Sequence, residues 1–229
     1  SRYMSAPKNG HWALVKSILR YLNGTREFGL QFSGGSKIVG YTDADWATDK
    51  IHRRSRTGYL FMVGSGCVSW RSTLQKTVAL STVEAEYMAI AAGMQEGIWL
   101  ATVINEIGLD NVLPISMKGD NQGSIALCKN PGNHNRTKHI DIRHHFIRER
   151  LRDNSFYLKY CRTEDMLADI FTKALPGPRV AELCGVVCLR HGEVLEMSHN
   201  TASLGLTSGD LIKAYGGFNG SPRRSTVSN

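Results

Sequence analysis

K-I-V-G-Y-T-D-A-D-W, residues 37–46, is the stretch from which the rest of the chain can be read. It predicts a β-strand from Lys37 to Asp43 that ends on an acid. Three more acids stand where an apolar run gives way to a polar one: Glu86 in S-T-V-E-A-E-Y-M-A (81–89), Asp120 in K-G-D-N-Q (118–122) and Asp169 in L-A-D-I-F-T-K (167–173). Acids placed in this way are expected to converge at one edge of a sheet. Carboxylates brought together repel and raise one another's pKa, so a cation has to offset them. Oxygen donors without an accompanying Cys or His favour a hard ion, Mg²⁺ or Mn²⁺, over Zn²⁺. The chemistry implied is metal-assisted phosphodiester hydrolysis.

Downstream, Thr57 to Val63, Gly64-Ser65-Gly66 and Cys67 to Trp70 read as a hairpin, which makes three strands. Ser81-Thr82-Val83-Glu84 has the form of a capping box, with Ser81 as N-cap and Glu84 reaching back to a free backbone N–H. The helix it opens runs to about Ile107, with Gly108 as the stop. Capping occupies Glu84 and leaves Glu86 as the catalytic candidate. Glu86 shares a helix face with Ala89, Gly93 and Gly97, small residues that let a helix approach a sheet closely.

Ile115 to Asp120 predicts a fourth strand, and Asn121 to Lys129 a short helix halted by Asn130-Pro131-Gly132. Thr137 to Leu151 predicts a basic amphipathic helix with Ile140, His144, Ile147 and Leu151 on its apolar face. Phe156 to Cys161 is a fifth strand and Thr163 to Leu175 a final helix, its first turn carrying Glu164 and Asp165. The order β-β-β-α-β-α-α-β-α is an α/β fold, a five-stranded mixed sheet flanked by helices.

H-W-A-L-V-K-S-I-L-R-Y-L (11–22) places Trp12, Val15, Leu19 and Leu22 at helical spacing, and Ser33-Gly34-Gly35-Ser36 reads as a linker. Residues 1–36 are therefore set apart from a domain spanning 37–176. Residues 177–229 form an extension, a short helix followed from about Ser198 by a Gly-, Ser- and Asn-rich stretch with the composition of disorder. A chain of 229 residues with 41% hydrophobic content can bury one sizeable core plus appendages. A net charge of +8 and a pI near 9.4 predict a polyanionic partner, nucleic acid ahead of a membrane surface. No uninterrupted apolar run approaches the roughly 18 residues of a membrane span, and no signal peptide precedes the first polar segment. These features predict a soluble intracellular protein without a membrane partner. Five scattered cysteines predict free thiols, and a chain opening on Ser1 fits a piece of a longer polyprotein.

The order of elements, with D, E, D, D on strand, helix, strand and helix, resembles ribonuclease H. The wording resembles one branch of it, the ribonuclease H domain at the end of the Pol polyprotein of Ty1/copia-type retrotransposons. Besides S-T-V-E-A-E-Y-M-A, the matching stretches are Y-T-D-A-D-W-A (41–47), R-R-S-R-T-G-Y (53–59), D-N-Q-G-S-I-A-L (120–127), R-T-K-H-I-D-I-R-H-H-F-I-R-E (136–149) and T-E-D-M-L-A-D-I-F-T-K-A-L-P (163–176). The match is dense over residues 37–176. It is looser over 11–25, which looks like the end of the preceding reverse transcriptase region.

The resemblance implies that Asp43, Glu86, Asp120 and Asp169 are catalytic and hold two Mg²⁺ ions about 4 Å apart, Mn²⁺ being a possible substitute. It implies the RNA strand of an RNA/DNA hybrid as substrate and the reverse transcriptase domain of the same polyprotein as partner. The expected place is the cytoplasm, within a virus-like particle, or else the nucleus. Gln122 matches the D-x-Q whose glutamine touches the hybrid. Beside such an acid set, the basic helix (Lys138, Arg143, Arg148, Arg150 and Arg152, with Arg136 just before it) is expected to contact phosphates, as is Arg56 in a second basic stretch with Arg53 and Arg54.

Asp45 and Asp49 read as a strand end and a loop. Histidines 134, 139, 144 and 145 lack the partners of a zinc motif, and Cys184, Cys188, His191 and His199 fit no common finger. Many ribonucleases H carry a mobile His in the loop before the last helix, whereas Cys161-Arg162-Thr163-Glu164 has none. Two other classes stay open: a catalytically inactive nucleic-acid-binding module of the same fold, and an integrase or resolvase. Integrases bring their acids in the order D, D, E.

Overall fold

The computed structural model describes residues 4–32, 34–35, 37–108, 112–130, 138–187 and 189–190. The chain opens with α1 (Asn9–Gly24) and a two-residue strand, β1 (Phe28–Gly29). It then builds one sheet from β2 (Ile38–Asp45), β3 (Arg56–Val63), β4 (Gly66–Leu74), β5 (Ile115–Gly119) and β6 (Phe156–Tyr160). Their spatial order is β4-β3-β2-β5-β6. The first three form an antiparallel meander, while β5 is parallel to β2 and β6 to β5. Parallel pairing requires a crossover. This is supplied by α2 (Thr82–Glu106) before β5, and by α3 (Gln122–Lys129) and α4 (Lys138–Arg152) before β6. The result is a ribonuclease H-like fold. Because β2 and β5 run side by side in the same direction, their C-terminal ends deliver Asp43 and Asp120 to one edge.

One face of the sheet packs on α2. Phe61, Ile115, Met117, Phe156 and Leu158 meet Ile90, Met94, Leu100 and Ile104 there, with Ile147 of α4. The helix comes close because of Gly93, where a Cβ would stand 2.5 Å from Thr42 Cγ2. The second face carries Leu60, Met62 and Cys67, covered by Met166, Leu167 and Ala168 and by Leu183 of α5 (Gly177–Val187). Beyond α5, β7 (Leu189–Arg190) pairs antiparallel with β1. No residue of α1 is buried, and Trp12, Leu19 and Leu22 stay more than half exposed. By length and composition α2 could cross a membrane, but 61% of its apolar window is buried inside the fold.

Three sequence expectations need correction. The strand carrying Asp43 runs two residues further, because Ala44 and Asp45 keep pairing with Thr57 and Arg56 of β3. The hairpin's second strand continues past Trp70 to Leu74 for the same reason. The last predicted helix, Thr163 to Leu175, is instead two 3₁₀ turns, Thr163–Asp165 and Leu167–Phe171, separated by an extended Met166 at φ −76° and ψ 99°. Met166, Leu167, Ala168 and Asp169 are all buried in succession. A surface α-helix would turn one of them to solvent. The stretch from about Ser198 lies outside the described residues.

Candidate active site

Asp43 lies near the end of β2, and its register partner on β3 is Gly58. A Cβ at Gly58 would stand 2.6 Å from Thr172 Cγ2, 3.0 Å from Phe171 Cβ and 3.1 Å from the Ala168 carbonyl oxygen. The missing side chain lets the second 3₁₀ turn lie directly on the sheet, where Ser72 Oγ donates to the Phe171 carbonyl at 2.5 Å. That docking brings Asp169 to Asp43. Asp120 arrives from the neighbouring strand, immediately after β5. One carboxylate oxygen from each of Asp43, Asp120 and Asp169 lies within 4.8 Å of the others. Glu86, in the second turn of α2, lines the same cleft of about 470 Å³, together with Asp45, Trp46, Thr82, Asn121 and Lys173. Of the four predicted acids, Asp43, Glu86 and Asp120 line this cleft, and Asp169 joins Asp43 and Asp120 in the carboxylate group, coming from a 3₁₀ turn and not from an α-helix.

Asp43, Glu86 and Asp169 are buried and Asp120 is half-buried. Burial pushes the Glu86 carboxyl up to about 9, and repulsion from Asp43 and Asp120 adds to it against the Ala44 backbone N–H. Without an added cation Glu86 holds a proton at neutral pH. Asp43 is raised as well, chiefly by burial, although Thr172 Oγ1 donates to it and Lys173 lies beside it. Lys173 Nζ stands 2.6 Å from Asp169 Oδ1 and 3.2 Å from Asp43 Oδ1. Burial works against the charge on Lys173, but Asp169 and Asp43 outweigh it and hold the ammonium well above its ordinary value. Thr163 Oγ1 donates to Asp120 Oδ2 at 3.0 Å. Among the described residues, oxygen donors converge here without nitrogen or sulfur ligands, and the chain already places a cation against two of them. This donor set fits a hard divalent ion.

Glu84 takes the structural part expected of it. Ser81 Oγ accepts from the Glu84 N–H at 3.1 Å, and Glu84 Oε2 accepts from the Leu80 N–H at 2.7 Å, one residue further back than a capping box requires. Asp49 is buried in a loop, accepts from the Ile51 N–H at 3.2 Å and lies 3.7 Å from Arg54. Gln122 is the exposed first residue of α3, after an Asn121 N-cap whose Oδ1 accepts from Ser124 N–H at 2.8 Å. Arg56 pairs in register with Asp45 and reaches Ser72 Oγ at 3.4 Å.

Arg143 and Arg148 are half-buried on α4. Arg148 bonds the Asn130 carbonyl at 3.3 Å and lines a second cleft, about 330 Å³, with Lys129, Arg152 and Phe156, away from the acids. Lys138 is the first residue of α4. Arg136 lies outside the described residues, as do Cys188, His191 and His199 of the weak zinc pattern.

No family model matches the chain. The retrovirus-related Pol polyprotein from transposon TNT 1-94 of Nicotiana tabacum is 46% identical over 185 residues, covering 80% of this chain and 14% of the relative. The homologues of this chain include retrovirus-related Pol polyproteins from copia-type transposons, 38–46% identical over most of its length. The chain spans about a seventh of the Nicotiana tabacum relative's length. Secreted RxLR effector protein 161 of Plasmopara viticola is 53% identical over 102 residues, 44% of this chain and 72% of the effector. Among solved structures, LC11-RNase H1 aligns with a TM-score of 0.46 at 12% identity, over 60% of this chain and 93% of that one.

Sequence reasoning missed three contributors to this site: Lys173, Thr172 and Gly58. A signal for the first was present. In D-I-F-T-K the lysine follows Asp169 by four residues, close enough for an acid and a base to meet on one turn. Nothing in R-R-S-R-T-G-Y showed that its glycine would lie opposite Asp43.

Proposed function

We propose that this chain is the ribonuclease H segment of a copia-type Pol polyprotein, an endonuclease that hydrolyses the RNA strand of an RNA/DNA hybrid with two divalent ions, Mg²⁺ by preference. The observation supporting this most directly is the approach of Asp43, Asp120 and Asp169 to within 4.8 Å, with Glu86 on the same cleft. These four acids would hold the ions, which when bound supply an activated water and offset charge on the leaving oxygen. The remaining work falls to the chain's own residues. Lys173 neutralises Asp43 and Asp169 and has to give them up as they are taken by ions. Thr163 orients Asp120, and Thr172 orients Asp43. Gln122, next in the chain to the cleft-lining Asn121, would meet the 2′-OH groups of the shallow minor groove, while Arg56, Arg136, Lys138, Arg143 and Arg148 would draw in phosphates. A reverse transcriptase domain elsewhere in the same polyprotein would supply the hybrid, in a cytoplasmic particle or in the nucleus.

One observation favours a second reading, binding without cleavage: a lysine already stands between two of the acids. A panel of RNA/DNA hybrid, duplex DNA and single-stranded RNA, each with Mg²⁺ and with EDTA, decides between them. Cleavage of the hybrid alone and only with Mg²⁺ supports the nuclease. Binding of the hybrid with no cleavage under any condition supports the inactive module, and cutting of duplex DNA would contradict both.

A further inference from the structure

Trp46 follows Asp45 at the end of β2 and is the one aromatic residue lining the carboxylate cleft among the described residues. Its surface is 43% exposed. An indole left in water forgoes much of the free energy it could gain by burial, yet this one is pinned in the open. Its Nε1–H donates to the Ala79 carbonyl at 3.0 Å. The next residue, Ala47, has a φ of 55°, and its N–H donates to Ser55 Oγ at 3.1 Å. A residue with a side chain held in that region costs about 1 kcal/mol or more. The turn that carries Trp46 is thus maintained against strain, and the indole is held by its Ala79 bond while 43% of the residue stays exposed.

Most of the cleft is acidic or amide-bearing and repels phosphates until cations arrive. A neutral apolar face is the surface that can hold a nucleic-acid strand there without adding negative charge. In a paired strand the faces of the bases are stacked on each other, and the shallow minor groove offers sugar edges and 2′-hydroxyls. The C–H edge of a sugar is what an indole face can pack against.

We infer that Trp46 is a positioning residue for the nucleic-acid strand, its exposed indole face packing on the sugar of a nucleotide next to the phosphodiester that faces the carboxylates. The inference rests on the nuclease reading above and adds the contact that sets the strand's distance from the acids. It differs from a merely structural role, in which Trp46 only covers Ala79, in two measurable ways. A sugar contact changes the surroundings of the indole on binding, and being uncharged it leaves the salt dependence of binding alone.

Both are tested on the full chain. With Trp12, Trp70 and Trp99 replaced by Phe, and Asp120→Asn to stop turnover, Trp46 reports alone. Titration with an RNA/DNA hybrid should quench its emission with the same Kd that fluorescence anisotropy of a labelled hybrid gives. In the otherwise unaltered chain, Trp46→Ala should weaken hybrid binding by about tenfold with an unchanged log–log salt slope, and Trp46→Phe should stay within about threefold. Emission unmoved at saturating hybrid, or a Trp46→Ala chain of unchanged Tm that keeps both Kd and KM, overturns the inference and leaves the nuclease reading standing. If Trp46→Ala fails to fold, the emission titration, which retains Trp46, decides alone. An unaltered chain that cuts no hybrid in Mg²⁺ refutes the nuclease reading instead.

Discussion

The ammonium of Lys173 stands 2.6 Å from the carboxylate of Asp169, four residues earlier, and reaches on to Asp43 at 3.2 Å. A cation supplied by the chain thus touches two of the three acids that converge. Replacing it in Lys173→Met leaves two buried carboxylates without their counter-charge. Breaking a fully buried pair costs about 3–5 kcal/mol. Here the lysine side chain is 33% exposed, so solvent screening reduces the expected loss to about 1–2 kcal/mol. Thermal unfolding in EDTA should show that loss, and millimolar Mg²⁺ or Mn²⁺ should restore it. A drop that divalent ions leave untouched would mean they do not bind at these carboxylates.

Glu86 gives the site its pH dependence. An unfolded glutamate releases its proton near 4.5, whereas burial and the neighbouring acids hold the folded one up to about 9. Between those values the folded chain binds the extra proton, so this group's contribution to stability is fully present below pH 4.5 and is lost as pH rises towards 9. Asp43, raised chiefly by burial, acts in the same direction. Glu86→Gln removes the titration, so in EDTA the variant should gain stability over the unaltered chain most near pH 9 and least near pH 5. Chemical denaturation across that range checks it, and an equal gain at both ends would show that Glu86 does not titrate there. Glu84→Gln should cleave normally, since an amide oxygen can still accept from Leu80 N–H.

Asp43 and Asp120 were legible because each stands at or near the end of a strand, and a boundary between a strand and a polar turn is visible in local pattern. Glu86 could be told from Glu84 by the cap alone. Asp169's neighbourhood was not legible. Periodicity reports one buried face, while Met166 to Asp169 are buried in succession because the segment is sandwiched between β3 and α5. Lys173 and Gly58 gain their meaning from that docking, which no local pattern encodes. The direction of the α4 arginines was likewise open, because a basic stripe does not say which neighbour it faces, and Arg148 turns towards Lys129 and Arg152.

Gly58 carries its own prediction. A methyl group there meets Thr172 at 2.6 Å and backbone oxygen at 3.1 Å, so the 3₁₀ turn has to lift away from β3. Gly58→Ala should cost about 1–3 kcal/mol, as overpacking does, and should weaken Mn²⁺ binding because Asp169 moves with the turn. Calorimetric titration with Mn²⁺ on the folded variant reads the second effect. Undiminished affinity would show that the turn accommodates the methyl without moving its acid.

Asp120 is the half-buried member of the cluster, held by Thr163. Asp120→Asn keeps size and the capacity to accept that bond but removes a negative oxygen. Cleavage should be abolished while hybrid binding stays within a few-fold. Full activity in the variant would remove Asp120 from the metal site.

The basic side chains of α4 are tested through salt. Every phosphate that a side chain ceases to neutralise lowers the log–log slope of binding against salt by about 0.9, so Lys138, Arg143 and Arg148 replaced together by Ala should flatten it by up to about 2.7. Turnover at saturating hybrid should survive, because the acids occupy a different cleft from Arg148. Arg148 also offers a finer test. Its guanidinium shares a cleft with Lys129 and Arg152 near the C-terminal end of α3, whereas Asp120 precedes the N-terminal end of the same helix. If a strand runs along α3 from the acids to that cleft, Lys129→Ala and Arg148→Ala should each lower the slope by the equivalent of a single phosphate, and a hybrid too short to span the helix should bind both variants like the unaltered chain. An unchanged slope in the triple variant would leave α4 as a solvated face packed through Ile147, and would move the phosphate track to Arg56, which lies across from Asp45 at the cleft's edge.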